Sequence, residues 1–219
     1  MMSILLAGAL TFNPLYGTCG PDVHPATINA IVEVESGGNP YAIHDGPTGT
    51  AIFPKTKEEA VEVAKRLIAR GHRLDLGLMQ INTIHLPELK RRGIGVDDLF
   101  DPCTSIRTGT RILSDFYQYH SQKTPHDSPD VTLLKAISSY NTGGAFKGKE
   151  YVRRILKKAH KAGNQNWPQQ TAKRNMYQVY YPFRSNFKKT NAVTSYRNIA
   201  FFKKEEKSER TTSTSRKTR

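Results

Sequence analysis

Among the residues able to do chemistry, Glu35 has the most telling position. The run Pro25-Ala26-Thr27-Ile28-Asn29-Ala30-Ile31-Val32-Glu33-Val34-Glu35-Ser36-Gly37-Gly38 places Ile28, Ile31 and Val32 at i, i+3 and i+4 of a helical stripe. Glu35 falls at i+7 of the same apolar stripe. A carboxyl there is partly desolvated, which disfavours the anion and raises the pKa. A carboxylic acid that keeps its proton near neutral pH is what cleavage of a glycosidic bond needs as general acid. The plain alternative is a frayed helix end from which Glu35 reaches water, and the stripe alone leaves both open. Glu33 is two residues away, roughly 200° around a helix, so it cannot share the face of Glu35. Asp45 and Asp75 can approach only through the fold.

Two further segments carry groups suited to sugars. Gly77-Leu78-Met79-Gln80-Ile81-Asn82 puts an amide and a flexible thioether in a turn entered through glycine. Amides match sugar hydroxyls and N-acetyl groups, and methionine can pack on a sugar face. The same segment also reads as an ordinary core-facing connection. Ser139-Tyr140-Asn141-Thr142-Gly143-Gly144 sets an aromatic ring and an amide at a helix end, where Gly/Asn capping is the competing explanation. Tyr151 opens the following helix and, taken alone, is a core aromatic.

These groups must be positioned by a mainly helical frame. A first helix is predicted from Pro25 to Ser36, stopped by Gly37-Gly38. Tyr41–Ile43 and Ala51–Phe53 flank a Gly/Pro/Asp-rich segment and predict a small β-hairpin. Thr56-Lys57-Glu58-Glu59 is a capping-box pattern opening a helix that ends at Gly71. Gly77–Asn82 is expected in a loop, and Pro87–Arg92 as a short helical turn. Thr104 is the expected cap of a long helix reaching Ser121, and Asp130 that of another ending at Gly143-Gly144. A last helix over Glu150–Ala162 turns Tyr151, Val152, Ile155, Leu156 and Ala159 inward and a row of Lys and Arg outward. No internal repeat is apparent.

The 219 residues suffice for one good-sized domain plus extensions. Their mean hydropathy of −0.57 says that part of the chain lies outside any core. The net charge of +14 is unevenly placed: residues 147–219 carry 20 Lys+Arg against 4 Asp+Glu, and the rest is close to neutral. The chain divides accordingly into an N-terminal apolar segment (1–17), a helical domain (18–163), an aromatic and basic extension (164–202) and a polar, basic tail (203–219) expected to be disordered. No stretch is long enough to span a bilayer. Ile4–Leu10 reads either as a weak or truncated signal peptide or as a first core-packing segment. Cys19 and Cys103 have no CxxC partner and no histidine at metal spacing, so no metal and no cofactor are implied. They pair in an exported protein or stay as buried thiols in a reducing compartment.

Taken together and in order, Val34-Glu35-Ser36-Gly37-Gly38-Asn39-Pro40-Tyr41-Ala42, Gly77–Asn82, Ser139–Gly144 and Tyr151-Val152 resemble the lytic transglycosylases with a soluble-lytic-transglycosylase, goose-type lysozyme-like domain. The resemblance covers about residues 18–160. Cys19-Gly20-Pro21, the insert Pro54–Gly71 and Phe100-Asp101-Pro102-Cys103 are most similar to the branch that accompanies conjugation and type IV secretion. Ser139 stands where alanine is more usual, and the basic tail has no counterpart.

The resemblance implies a lysozyme-like helical fold with Glu35 as catalytic acid and base. It implies Ser36, Met79, Gln80, Asn141 and Tyr151 lining a sugar groove, with Tyr140 packed beside it, and a disulfide between Cys19 and Cys103. The implied substrate is the peptidoglycan glycan strand, cut between N-acetylmuramic acid and N-acetylglucosamine without water to give 1,6-anhydro-muropeptides. The implied setting is the periplasm or cell envelope, with secretion-system components or anionic surfaces meeting the basic tail. One rival within the class is a hydrolytic muramidase, which needs a placed water and usually a second carboxylate. The rival from another class is a non-catalytic cell-wall-binding or nucleic-acid-binding protein working through its basic, Tyr- and Phe-bearing end. No recognisable nucleic-acid motif accompanies that end.

Overall fold

The computed structural model describes residues 13–161. The expected extension over 164–202, the tail over 203–219 and most of the N-terminal apolar segment lie outside the described residues. Seven helices and four short strands follow in the order α1 (Pro14–Cys19), α2 (Pro25–Glu35), β1 (Ile43–Asp45), β2 (Thr50–Ile52), α3 (Lys57–Ala69), β3 (Leu74–Leu76), β4 (Ile81–Asn82), α4 (Leu86–Arg91), α5 (Pro102–Lys123), α6 (Pro129–Thr142) and α7 (Lys149–Lys161). Two 3-10 turns, Thr83–His85 and Asp97–Phe100, complete the described path.

Helix α2 starts where its sequence says it should. Pro25 occupies the first helical position, where a missing N–H costs nothing. Its burial exceeds the amphipathic expectation. Ala26, Thr27, Ile28, Ala30, Ile31 and Val32 are all buried, so α2 is enclosed on most sides rather than lying on a surface. Helix α7 packs along it through Val152, Ile155 and Ala159, none of them accessible to solvent, while Lys158 reaches Glu33 at 3.1 Å on the outside. Helices α5 and α6 pack on each other and contribute Ile106, Leu113, Leu134 and Ile137 to the same core.

Several boundaries are set by residues other than those expected. Thr56 caps α3, accepting from Glu59 N–H at 3.2 Å. The reciprocal bond of the capping box, however, runs from Lys55 N–H to Glu59, one residue early. Helix α5 is capped by Asp101 and not by Thr104: Asp101 Oδ1 accepts from Thr104 N–H at 2.8 Å, and Pro102 takes the first position. Helix α6 is capped by Ser128 rather than Asp130, again with proline at the first position. Asp130 instead lies in the first turn, where its charge favours the helix dipole.

The single hairpin of the sequence reading is half of a larger unit. β1 and β2 pair as expected, but β3 joins β1 and β4 joins β3, giving an antiparallel four-stranded sheet in the order β2-β1-β3-β4. The expected loop at Gly77–Asn82 is therefore the turn and return strand of a second hairpin. One face of the sheet carries Ile43, Leu76 and Ile81, all inaccessible. Register puts His44 opposite Asp75 and Asp75 opposite Asn82, so these three share the other face.

Helix α1 was not expected. It ends on Cys19, which is bonded to Cys103 in the first turn of α5, across 84 residues of chain. The buried-thiol alternative is thereby set aside, and the cross-link ties α1, rather than α2, to α5.

Candidate active site

The site forms where α2 ends. Glu35 is its last residue, half-buried, with Ser36 as the C-cap. The Ser36 hydroxyl does not point into open solvent: it lies 2.8 Å from the carbonyl of Leu78 and donates to it, while its oxygen accepts from Gly38 N–H. The end of α2 is thus stitched to the β3–β4 turn.

That turn is tied on its other sides too. Gly77 adopts φ of 75°, and a Cβ there would sit 2.1 Å from the Leu99 carbonyl oxygen, so no other residue fits. Gln80 is the one non-glycine described with positive φ, at 47°. Its side-chain amide offsets this by donating to Ala42 O at 3.0 Å and Gly77 O at 2.9 Å. Met79 N–H donates to Ser105 Oγ on α5, and the Tyr140 hydroxyl on α6 donates to Met79 O at 2.7 Å. Three helices therefore hold one turn, largely through main-chain groups.

The expected groove residues are brought together, but several act as wall rather than as free recognition groups. Met79 is wholly inaccessible. Its thioether packs on α5 at Gly109, where a Cβ would lie 2.6 Å from the sulfur. The expectation that its side chain faces a sugar is corrected, because the tight turn sends it into the core and leaves the backbone carbonyl toward Tyr140. Ser36, Gln80 and Tyr140 likewise spend their polar atoms on the turn. Asn141, beside Tyr140 in the last turn of α6, is exposed. Tyr151 of α7 is buried and donates its hydroxyl to Glu35 Oε1 at 2.5 Å.

Burial lifts the pKa of Glu35 from 4.5 to about 7. The Tyr151 hydrogen bond pulls it down, the charge of Asp75 pushes it up, and Arg154, whose guanidinium lies 5.8 Å from the Tyr151 ring centroid, pulls it down again. The hydroxyls of Tyr151 and Tyr140 are driven well above their ordinary value, first by burial and then by the Glu35 charge. Both therefore keep their protons and serve as donors. A carboxyl poised near neutrality can give a proton and take one back, which is the demand of an acid/base catalyst.

Strand alternation separates the two other carboxylates. Asp45 shares the buried face of the sheet with Ile43 and is spent on structure, held by His72 at 2.9 Å and Thr48 at 2.8 Å. Asp75 lies on the opposite face and near enough to Glu35 to shift it. Asn82 and His44 hold Asp75, and neither they nor His85, whose pKa burial lowers, was singled out from sequence. The signal was there in the alternation of Leu74-Asp75-Leu76 and Ile81-Asn82 about a tight turn. Among the described residues no group of three or more His, Cys, Asp or Glu is gathered to hold a metal ion.

The transglycosylase SLT domain matches residues 14–168, most of the chain and all of the site just described. The chain belongs to this family. Among its relatives, protein virB1 of Agrobacterium fabrum is 33% identical over 162 residues, 74% of this chain and 63% of the relative. The type IV secretion system protein virB1 of Brucella abortus is 37% identical over 150 residues, 64% of this chain and 60% of the relative. The invasion protein IagB of Salmonella typhimurium is 36% identical over 85 residues, 38% of this chain and 47% of the relative. The chain thus spans somewhat less than two thirds of the length of the virB1 relatives. No solved structure matches. In this SLT domain no described helix is long and apolar enough to cross a membrane.

Proposed function

We propose that this SLT-family chain is a peptidoglycan lytic transglycosylase, with residues 18–163 as its catalytic unit and Glu35 as its acid and base. The observation that carries the reading is the Glu35–Tyr151 pair: a half-buried carboxyl poised near neutral pH and oriented by a hydroxyl that stays protonated. Glu35 donates its proton to the glycosidic oxygen as the bond from the muramoyl anomeric carbon breaks, releasing the N-acetylglucosamine hydroxyl. The resulting carboxylate takes the proton of the muramoyl 6-hydroxyl while that oxygen closes on the anomeric carbon. A 1,6-anhydro ring forms, no water is consumed, and Glu35 ends as it began. Tyr151 holds the carboxyl in one orientation through both transfers, so the geometry is set before the sugar arrives.

The match to the transglycosylase SLT domain supports a transglycosylase over a muramidase. Asn141, exposed at the end of α6, and the walls built by Ser36, Gln80 and Tyr140 form the sugar-facing surface in this reading, with Met79 buried behind them.

The virB1 relatives support a place in the periplasm or cell envelope, opening the wall locally for a type IV secretion apparatus. The excess of Lys and Arg after residue 147 supports attraction to anionic envelope surfaces or to secretion components, which salt screens. Mass analysis of products from purified sacculi tests the reaction. Anhydro-muropeptides are expected; products heavier by one water mean hydrolysis, and no products mean a binding role. Deleting residues 203–219 is expected to leave turnover of a soluble uncharged oligosaccharide intact and to weaken low-salt binding to whole sacculi.

A further inference from the structure

The outward face of the small sheet carries a polar row that the reaction above does not use. Asp75 sits at its centre. Asn82 Nδ2 donates to Asp75 Oδ1 at 2.7 Å from one side, and His44 Nδ1 lies 3.3 Å from Oδ2 on the other. Both neighbours are its register partners, on β4 and β1. Asn82 is fixed in turn, since its Oδ1 accepts from Ile84 N–H at the start of the 3-10 turn. The carboxylate is therefore held from both sides by the sheet itself.

The sheet cannot drift from α2, because the turn that follows β3 is bonded to Ser36 and to Tyr140. Asp75 lies two residues before that turn. The groups facing it from the packed elements are His44 of β1, His85 of the 3-10 turn, Glu35 of α2 and Tyr140 of α6; the charge of Asp115 on α5 also acts on His85. Those facing Glu35 are Tyr151 and Arg154 of α7, Tyr140 of α6 and Asp75. Asp75 and Arg154 thus act on Glu35 with opposite signs.

We propose that Asp75 is a positioning residue: a carboxylate fixed by Asn82 and His44 on a strand whose turn is bonded to the Glu35 end of α2, so that its charge faces the positive charge that develops at the anomeric carbon. It touches neither proton nor sugar bond. Like charges disfavour ionisation of a neighbour, and a fixed anion stabilises a nearby oxocarbenium-like centre without needing to reorganise. The inference rests on the reading of Glu35 as acid and base.

The test is a carbon-13 NMR titration of the Glu35 carboxyl in the full chain, its signal assigned by its loss in Glu35→Gln. In Asp75→Asn, which is nearly isosteric and can still accept from Asn82, the Glu35 midpoint is expected to fall by about half a pH unit or more. In His44→Ala, which removes a partner and leaves the carboxylate, it should not fall. The alkaline limb of kcat/KM on peptidoglycan should move with the midpoint in Asp75→Asn. An unchanged midpoint, or an equal fall in both variants, overturns the proposal. In the unaltered protein the Asp75 carboxyl carbon should respond at the pH where Glu35 titrates. A flat Asp75 signal there overturns it even if Asp75→Asn does not fold. A midpoint that moves while the activity limb stays put supports the coupling and instead removes Glu35 as the acid.

Discussion

Replacing Glu35 with glutamine should stabilise the protein while abolishing cleavage, and the gain should depend on pH in a fixed way. The lift of the carboxyl from 4.5 to about 7, at about 1.4 kcal/mol per unit, amounts to about 3 kcal/mol of preference for the protonated form. Partial exposure of Glu35 makes that an upper figure, since solvent screens the ionised form. The folded-state pKa is raised, so the carboxyl contributes its full stability below 4.5. Between 4.5 and about 7 the unfolded chain has lost the proton that the folded chain retains, and stability falls as pH rises. Above that window the deficit is constant. Glutamine does not titrate, and its carbonyl can still accept from the Tyr151 hydroxyl. The stability difference between Glu35→Gln and the unaltered protein should therefore climb through this window and then flatten. Urea unfolding with the disulfide intact, at a series of pH values, measures it directly. A difference that is the same at every pH would mean that Glu35 titrates like a surface carboxylate. It would then be an anion at neutral pH, unable to protonate a leaving oxygen.

Tyr151→Phe removes a donor that favours the Glu35 anion, so the alkaline limb of the pH profile should move up. Losing a hydrogen bond to a charged group should also cost roughly 10- to 100-fold in kcat/KM, read in the same steady-state assay. Reducing the Cys19–Cys103 bond, which closes a loop of 84 residues, should lower stability by up to about 4–5 kcal/mol in the chain-entropy account, seen as a lower urea midpoint with reductant present. Unreduced, unfolded protein from its native compartment should show no free thiol on labelling. Gly77→Ala combines a positive φ with a backbone collision against Leu99, so it should destabilise by about 3 kcal/mol or more and lower Tm accordingly.

What the sequence disclosed was the part written in local pattern. The stripe Ile28, Ile31, Val32 fixes the face of α2 and puts Glu35 on it, and Gly37-Gly38 marks where it must stop. The inward row Tyr151, Val152, Ile155 and Ala159 of α7 is legible for the same reason. Strands of two or three residues are too short to carry a period, so β3 and β4 passed for a loop. Their existence depends on β1, which lies 31 residues earlier for the His44–Asp75 pair. Caps misread by two or three residues, at Asp101 and Ser128, share one cause. Proline occupies the first helical position in each, and the residue just before it becomes the cap whatever polar residues follow.

The site residues divide along the same line. Glu35 could be singled out because its own helix explains its burial. Met79 could not be placed, because whether a side chain in a tight turn faces sugar or core is decided by a distant surface, here Gly109 on α5. The same holds for the two aspartates, which look equivalent in sequence and end on opposite faces of one sheet. Asp45 aligns with buried Leu74, while Asp75 aligns with His44 and Asn82. Register alone decides which of them meets the acid, and a slip of one residue in either strand would put both on one face. The Gly77 turn, clamped by α2, α5 and α6, prevents that slip. A turn so heavily held does more than connect two strands: it determines which carboxylate Glu35 has for a neighbour.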